Sequence, residues 1–350
     1  MIAALLAALM MQASSGLDAA LDALAAVKPG DATAYAAARE KVLAFGKDAI
    51  PGLAERGAAD RWTEAGWVRA MAAEACRLRL ADPELAAAVD RPDGLDPAHY
   101  RLFRTGEPMI LPAFARRGAN AVPLLLERWR WTFDGHPFSV GDAGEKERET
   151  LRYAILALPG QVPDARARHF LAEVLSTAGL RDAWRRDAAV SLGQTGGTAA
   201  LPRLTAILDD AAQPAAVREG CARALGRIAD ASALDAIRSR LAGEKDAQVR
   251  RSLLHGLGIL GSAWGWQSRG KDVAALADAV RAGCAETLVD ALKSHPEESE
   301  TIGTALSMTK WAASLKSVEA LAVDATTSPE VRSAATSILP ALKQALSRKR

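Results

Sequence analysis

Of the 350 residues only five are histidine and three are cysteine, and aromatics make up 5%. The histidines, at 99, 136, 169, 255 and 295, offer no pair at the i,i+4 spacing of a helical zinc site, and no CxxC occurs. Cys76, Cys221 and Cys284 are too few and too far apart for a disulfide framework. Each lies in an Ala-rich stretch and reads as a small buried hydrophobe, and an odd count fits reduced thiols as well as oxidised ones. Charge of one sign is also lacking. Lys+Arg 44 against Asp+Glu 42 leaves +2, so no global field draws the chain to nucleic acid or an anionic membrane. Nor is there an apolar run of the roughly 20 residues that cross a bilayer. Motifs of chemistry are missing too: no G-x-S-x-G, P-loop, Rossmann glycine pattern or His-Glu pair appears.

What is abundant is alanine, with 77 residues, alongside eight tryptophans. An Ala/Leu/Arg-rich, Tyr-poor chain disfavours a β-sandwich or barrel and favours helices. The run Ile2–Met11 is ten residues of apolar side chains followed by Ala13, Ser14, Ser15 and Gly16. That length suits the hydrophobic region of a secretory signal, although no Lys or Arg precedes it. Residues 1–15 are therefore expected to be a cleaved signal and the protein periplasmic or secreted. The alternative is an apolar first helix of a cytoplasmic protein.

An internal repeat organises the rest. Trp184-Arg185, Val217-Arg218 and Val249-Arg250 recur at spacings of 33 and 32, and eight residues after each comes Leu192-Gly193, Leu225-Gly226 or Leu257-Gly258. Between them stand Ala188/Ala189, Cys221/Ala222 and Leu253/Leu254, so the apolar positions trace one helical stripe. The closing glycine is expected to stop the helix in a left-handed conformation. Looser copies begin near Thr150 and at Val331-Arg332, the latter behind a Ser328-Pro329-Glu330 cap. A second element follows the first. Gly46…Ala49-Ile50-Pro51, Gly118…Ala121-Val122-Pro123 and Gly197…Ala200-Leu201-Pro202 predict a tight turn and a helix with proline in its first turn, and Asp230…Ala233-Leu234 is a version without them. Each unit is helix A, turn, helix B, and neither buries its stripe without stacked neighbours.

These residues resemble HEAT repeats, especially the short bacterial type of the phycobilisome lyases. The resemblance covers 145–260 most clearly, and 33–55, 108–132 and 298–347 more loosely. It implies an all-α superhelix of stacked helix-turn-helix repeats, an α-solenoid. In such repeats the arginine shared by Arg185, Arg218, Arg250 and Arg332 pairs with neighbouring acids or carbonyls; a basic strip for an anionic partner is the other reading. The expected layout is divergent repeats over 16–144, regular repeats over 145–260, an insertion at 261–284, and C-terminal repeats with a capping helix over 285–350.

Three stretches break the period: Val89–Gly106, Asp134–Gly144, and the segment from Gly261, which delays the next A helix to about Thr301. Val273–Ala282 within the last is expected to be an extra helix or an extended B helix. His136 with Asp134 and Asp142 shares a loop, but loop polarity explains the trio as well as a metal would. Gly193–Gly197 reads as an inter-helix turn rather than a phosphate loop. Asp209-Asp210 and Glu297-Glu298 read as helix-end carboxylates, the latter a cap or solvated first turn.

Tryptophans are the candidate partner-binding residues, because they bury large area at small entropic cost. Trp264 and Trp266, with Arg269, sit in the insertion, where they either meet a partner or fold back over the repeat edge. In Arg128-Trp129-Arg130-Trp131 the indoles are about 200° apart on an α-helix and cannot share a face. One is expected in the core and the other in the groove beside an arginine. Trp62, Trp67, Trp184 and Trp311 read as packing residues. The expectation is a non-enzymatic scaffold for a protein or peptide, monomeric or weakly dimeric, with no cofactor, no metal and no nucleic acid. The alternative is a bilin-lyase-like or DNA-glycosylase-like enzyme on the same repeats.

Overall fold

A computed structural model describes residues 2–90, 100–102, 108–110, 112–133, 152–153, 155–160, 162, 164–267 and 278–347, with side chains omitted at 2–13, 100–102, 108–118 and 132–133. The chain divides into two compact units, Met1–Phe170 and Leu171–Arg350.

In the first unit, α1 (Ile2–Ala25), α2 (Ala32–Leu43), α3 (Ile50–Arg56), α4 (Trp67–Ala81), α5 (Pro83–Asp90) and α6 (Pro112–Arg128) gather around α4. The sequence of α4 explains its place. Ala70, Ala72, Ala73, Ala75 and Cys76 are all buried, and such small side chains let several helices approach one axis. Leu17, Leu21 and Leu24 of α1 form the buried stripe of that helix. Between α2 and α3, Gly46 takes φ +70° and Pro51 stands in the first turn of α3, as the motif predicts.

This unit adds one short element to the helical pattern and departs from one expectation. The Val89–Gly106 break contains part of an antiparallel ribbon, β1 (Tyr100–Leu102) with β2 (Pro108–Ile110), in register Arg101↔Met109. No turn opens at Gly118 either: α6 runs straight through it and holds Pro123 in its interior. Proline removes the N–H that would bond the carbonyl four residues back. That carbonyl, Ala119 O, instead accepts from the Arg166 guanidinium, so the helix continues. The loop trio Asp134, His136 and Asp142 lies outside the described residues.

The second unit is the regular solenoid. After α7 (Ala167–Ser176), A and B helices alternate: α8 (Asp182–Gly196) with α9 (Leu201–Asp209), and α10 (Ala215–Gly226) with α11 (Ser232–Leu241). Next comes α12 (Ala247–Leu260), then a short α13 (Ala263–Gln267) and the B helix α14 (Asp278–Ser294). The last elements are α15 (Ser299–Thr309), α16 (Ala312–Val323) and α17 (Pro329–Ser347). The A helices pack in series, α8 on α10, α10 on α12, α12 on α15 and α15 on α17, with each B helix against its neighbours. Helix α15 is the delayed A helix expected near Thr301; of the extra helix or extended B helix expected over 273–282, residues 278–282 open α14 and 273–277 lie outside the described residues. Asp246 caps α12 by accepting from Gln248 N and Val249 N, and Ser328 Oγ accepts from Val331 N ahead of α17.

The Leu-Gly glycines are not left-handed stops. Gly193, Gly226 and Gly258 have ordinary helical φ and lie within or at the last residue of their helices. They are the crossing points of successive A helices. A Cβ at Gly193 would lie 2.4 Å from Ala224 O, one at Gly226 2.4 Å from Gly256 Cα, and one at Gly258 2.8 Å from Ala305 Cα. Left-handed conformation occurs instead at Gly197 (φ +54°) in the A–B turn. In the glycine-free copy it falls on Ala229 (φ +53°), one residue earlier.

Candidate functional site

The Arg128–Trp131 cluster is interior, contrary to the partner-facing expectation. Residues Trp129–Phe133 wind as a π-helical turn at the end of α6. Trp131, fully buried, stacks on Tyr35 of α2 with centroids 3.9 Å apart and planes at 13°, and its Nε1 donates to Val27 O at 3.2 Å. Trp129, 4% exposed, meets the edge of Phe170 at 6.1 Å. The two indoles do diverge; each finds a separate interior wall. Arg128 is buried and donates to Val89 O. Next to it Glu127 accepts from Tyr35 Oη at 2.6 Å and from Arg79, which also pairs with Asp90. Burial and the Glu127 charge push the Tyr35 phenol well above its ordinary range, so it stays a neutral donor. These side chains turn inward and bond within the interior of the unit.

The arginine ladder is likewise turned inward. Arg185 donates to Gln213 Oε1 at 2.6 Å and Leu175 O at 2.9 Å, Arg218 to Glu244 at 3.2 Å, and Arg250 to Glu297 and Glu298 at 3.3 Å. Each reaches forward to the residues that introduce the next A helix, stitching repeat to repeat. Arg332 bonds Ala325 O at 3.4 Å and Thr327 O. Glu298 is therefore not a solvated first-turn acid: it is 3% exposed and also accepts from Arg251 at 2.6 Å. The thiols are buried as expected, and burial pushes Cys221 and Cys284 up to about 12.

Open chemistry is concentrated in the insertion after α12. Ser262 Oγ donates to Ile259 O at 2.8 Å and accepts from Gly265 N at 3.0 Å, starting α13. Gly265 lies so close to Ile259 that a Cβ would fall 2.1 Å from its carbonyl oxygen, so only glycine lets this single turn fold back on α12. Residues 264 and 266 then point about 200° apart. Trp266 goes inward, with Nε1 donating to Leu260 O at 2.9 Å. Trp264 goes outward and is 56% exposed. The sequence left both outcomes open for this pair, and each tryptophan takes one of them. Trp266 is removed from the partner-binding set, and Arg269 lies outside the described residues.

Beside Trp264 opens a cavity of about 600 Å³, walled by Ala263, Trp264 and Gln267 of α13, Arg281 of α14, and Met308, Thr309 and Lys310 at the end of α15. Most of its lining is apolar, and no carboxylate borders it among the described residues. Arg281 is 6% exposed, and its Nε is buried without an acceptor. Arginines elsewhere with a buried, unbonded Nε make another polar, ionic or ring contact. The Arg281 guanidinium meets no acceptor at all among the described residues. An unpaired buried charge costs several kcal/mol, which makes this arginine exceptional. Lys310 at the rim takes φ +49°, a left-handed conformation uncommon for a side-chain-bearing residue.

Sequence reasoning missed Arg281, Met308 and Lys310. A signal existed: Arg281 stands on the same helical stripe as Cys284, Ala285, Leu288 and Leu292, all buried, so a charge occupies an apolar position. A second cleft, in the first unit, is lined by Asp18, Arg56 and Arg69, where Asp18 pairs with both arginines at 2.5–2.6 Å, and by the charged side chains of Glu55, Asp60 and Arg61. Among the described residues no three His, Cys, Asp or Glu side chains gather as metal ligands, and no helix is long and apolar enough to cross a membrane.

Residues 184–210 and 217–243 match the family of PBS lyase HEAT-like repeats. These two matches cover α8–α9 and α10–α11, and the same A–B geometry continues through α12–α17. The second unit is thus an α-solenoid, with HEAT-like repeats at 184–210 and 217–243. No curated protein sequence matches the chain.

Proposed function

We propose that the protein is a non-enzymatic scaffold whose HEAT-like repeats hold a protein or peptide partner. The observation that carries this reading is Trp264, 56% exposed in a chain that buries most of its other indoles, beside an open cavity. Exposed aromatics set next to a pocket are the residues on which binding energy concentrates. Solenoids offer long surfaces for such partners and need no reacting groups. Trp264→Ala is expected to weaken the partner complex by about 2 kcal/mol, roughly thirtyfold, while circular dichroism and Tm stay unchanged. Partner capture that is equal for the variant and the unaltered chain refutes the reading.

We further propose export from the cytoplasm. What supports this reading is the ten-residue apolar run Ile2–Met11 followed by the small residues Ala13, Ser14, Ser15 and Gly16. Mass spectrometry of the protein from its native cells is expected to show a new N-terminus near residue 16; retention of Met1 refutes export.

A further inference from the structure

We infer that the Trp264 cavity recognises a carboxylate carried on an apolar group, and that the C-terminal residue of a peptide supplies it. This rests on the scaffold reading above. The cavity presents one buried guanidinium, Arg281, with no acceptor among the described residues, and an otherwise mainly apolar wall. A guanidinium is a planar fork of donors that matches a carboxylate in bidentate geometry. One buried positive charge is neutralised by a monoanion, whereas a dianion replaces one unpaired charge with another. The neighbouring groups are not competitors. Ser262 Oγ and Thr309 Oγ1 are engaged with Ile259 O and Leu306 O. Trp264, Ala263 and Met308 form the surface on which an apolar side chain rests. Lys310, exposed at the mouth, adds attraction for an approaching anion.

The test uses the full chain and isothermal titration calorimetry with acetyl-Ala-Ala-Leu bearing a free C-terminus, the same peptide as its C-terminal amide, and 4-phenylbutyrate. The free acid is expected to bind about tenfold or more tightly than the amide. Arg281→Met is expected to erase that preference and to raise Tm, because it removes an unpaired buried charge; an arginine that only supports the fold would lower Tm when removed. Should this variant misfold, the acid–amide comparison on the unaltered chain decides alone. Equal binding of acid and amide overturns the carboxylate site while leaving the scaffold reading intact. Binding of 4-phenylbutyrate without either peptide overturns the peptide C-terminus as the source of the carboxylate. Binding of neither acid, or competition by inorganic phosphate as strong as that of the acids, overturns the inference.

Discussion

Gly226→Ala tests the packing that defines the solenoid. A Cβ at this position would lie 2.4 Å from Gly256 Cα and 2.5 Å from Gly256 O, both backbone atoms of the next A helix. No side-chain rotation relieves such a contact, so the helices must separate. Overpacking of a core costs about 1–3 kcal/mol, and a backbone neighbour places the cost at the upper end. Against this stands the higher helix propensity of alanine, worth at most about 1 kcal/mol and less at the last residue of α10. The net expectation is a loss of about 2 kcal/mol, or about 4–8 °C in Tm for a unit of this size. Gly243→Ala is the control: nothing lies within 4 Å of its Cβ position, and the change should stabilise by about 0.5 kcal/mol. Urea titration followed by far-UV circular dichroism reads both, with the m-value unchanged. Were Gly226→Ala as stable as the unaltered chain, this glycine would not mark a helix crossing.

Glu298→Gln should destabilise by about 3 kcal/mol in urea titration, because Arg250 and Arg251 lose a buried partner. Glu297→Gln, more exposed, should stay within about 0.5 kcal/mol, and equal effects would refute the assignment of the buried role to Glu298. Burial, aided by Arg223 and Arg227, lowers the His255 imidazole, and burial with Arg168 lowers His169. Their contribution is complete above the free imidazole value of about 6.5 and is lost as pH falls below it, because the unfolded chain then binds protons that the folded chain refuses. Tm against pH should therefore fall less steeply below pH 6.5 in His255→Gln; an unchanged slope refutes this.

The repeat period was legible because stacking demands the same side chains at the same places: a stripe of apolar residues, an arginine and a turn. Gly46 and Gly197 announce their turns because a left-handed φ favours glycine wherever it falls. Gly193 and Gly226 were legible as special but misread, since an absent Cβ serves close approach as well as backbone freedom. Proline was ambiguous for a related reason. Pro51 and Pro123 share one local motif, and only the distant Arg166 makes the second tolerable inside a helix. The tryptophan pairs show the limit most clearly. Angular separation was readable for both, but whether a wall waits on each side depends on Tyr35 and Phe170, far off in sequence. Arg281 was overlooked because a ladder of paired arginines made one more appear ordinary.

Gly193 and Gly226 each rest on the residue two places before the equivalent position in the following helix, Ala224 and Gly256, and Gly258 rests on Ala305. Each forward arginine likewise ends on the residues introducing that helix. The α8–α10 and α10–α12 joints are thus the same joint, each carrying both its tongue and its groove within about one period of chain. A second copy of residues 217–248, spliced in phase, would bring its own matched faces and disturb neither flank. Length in this architecture is a countable variable, altered by whole modules, and the spacing between distant surfaces can change while every local fit is kept.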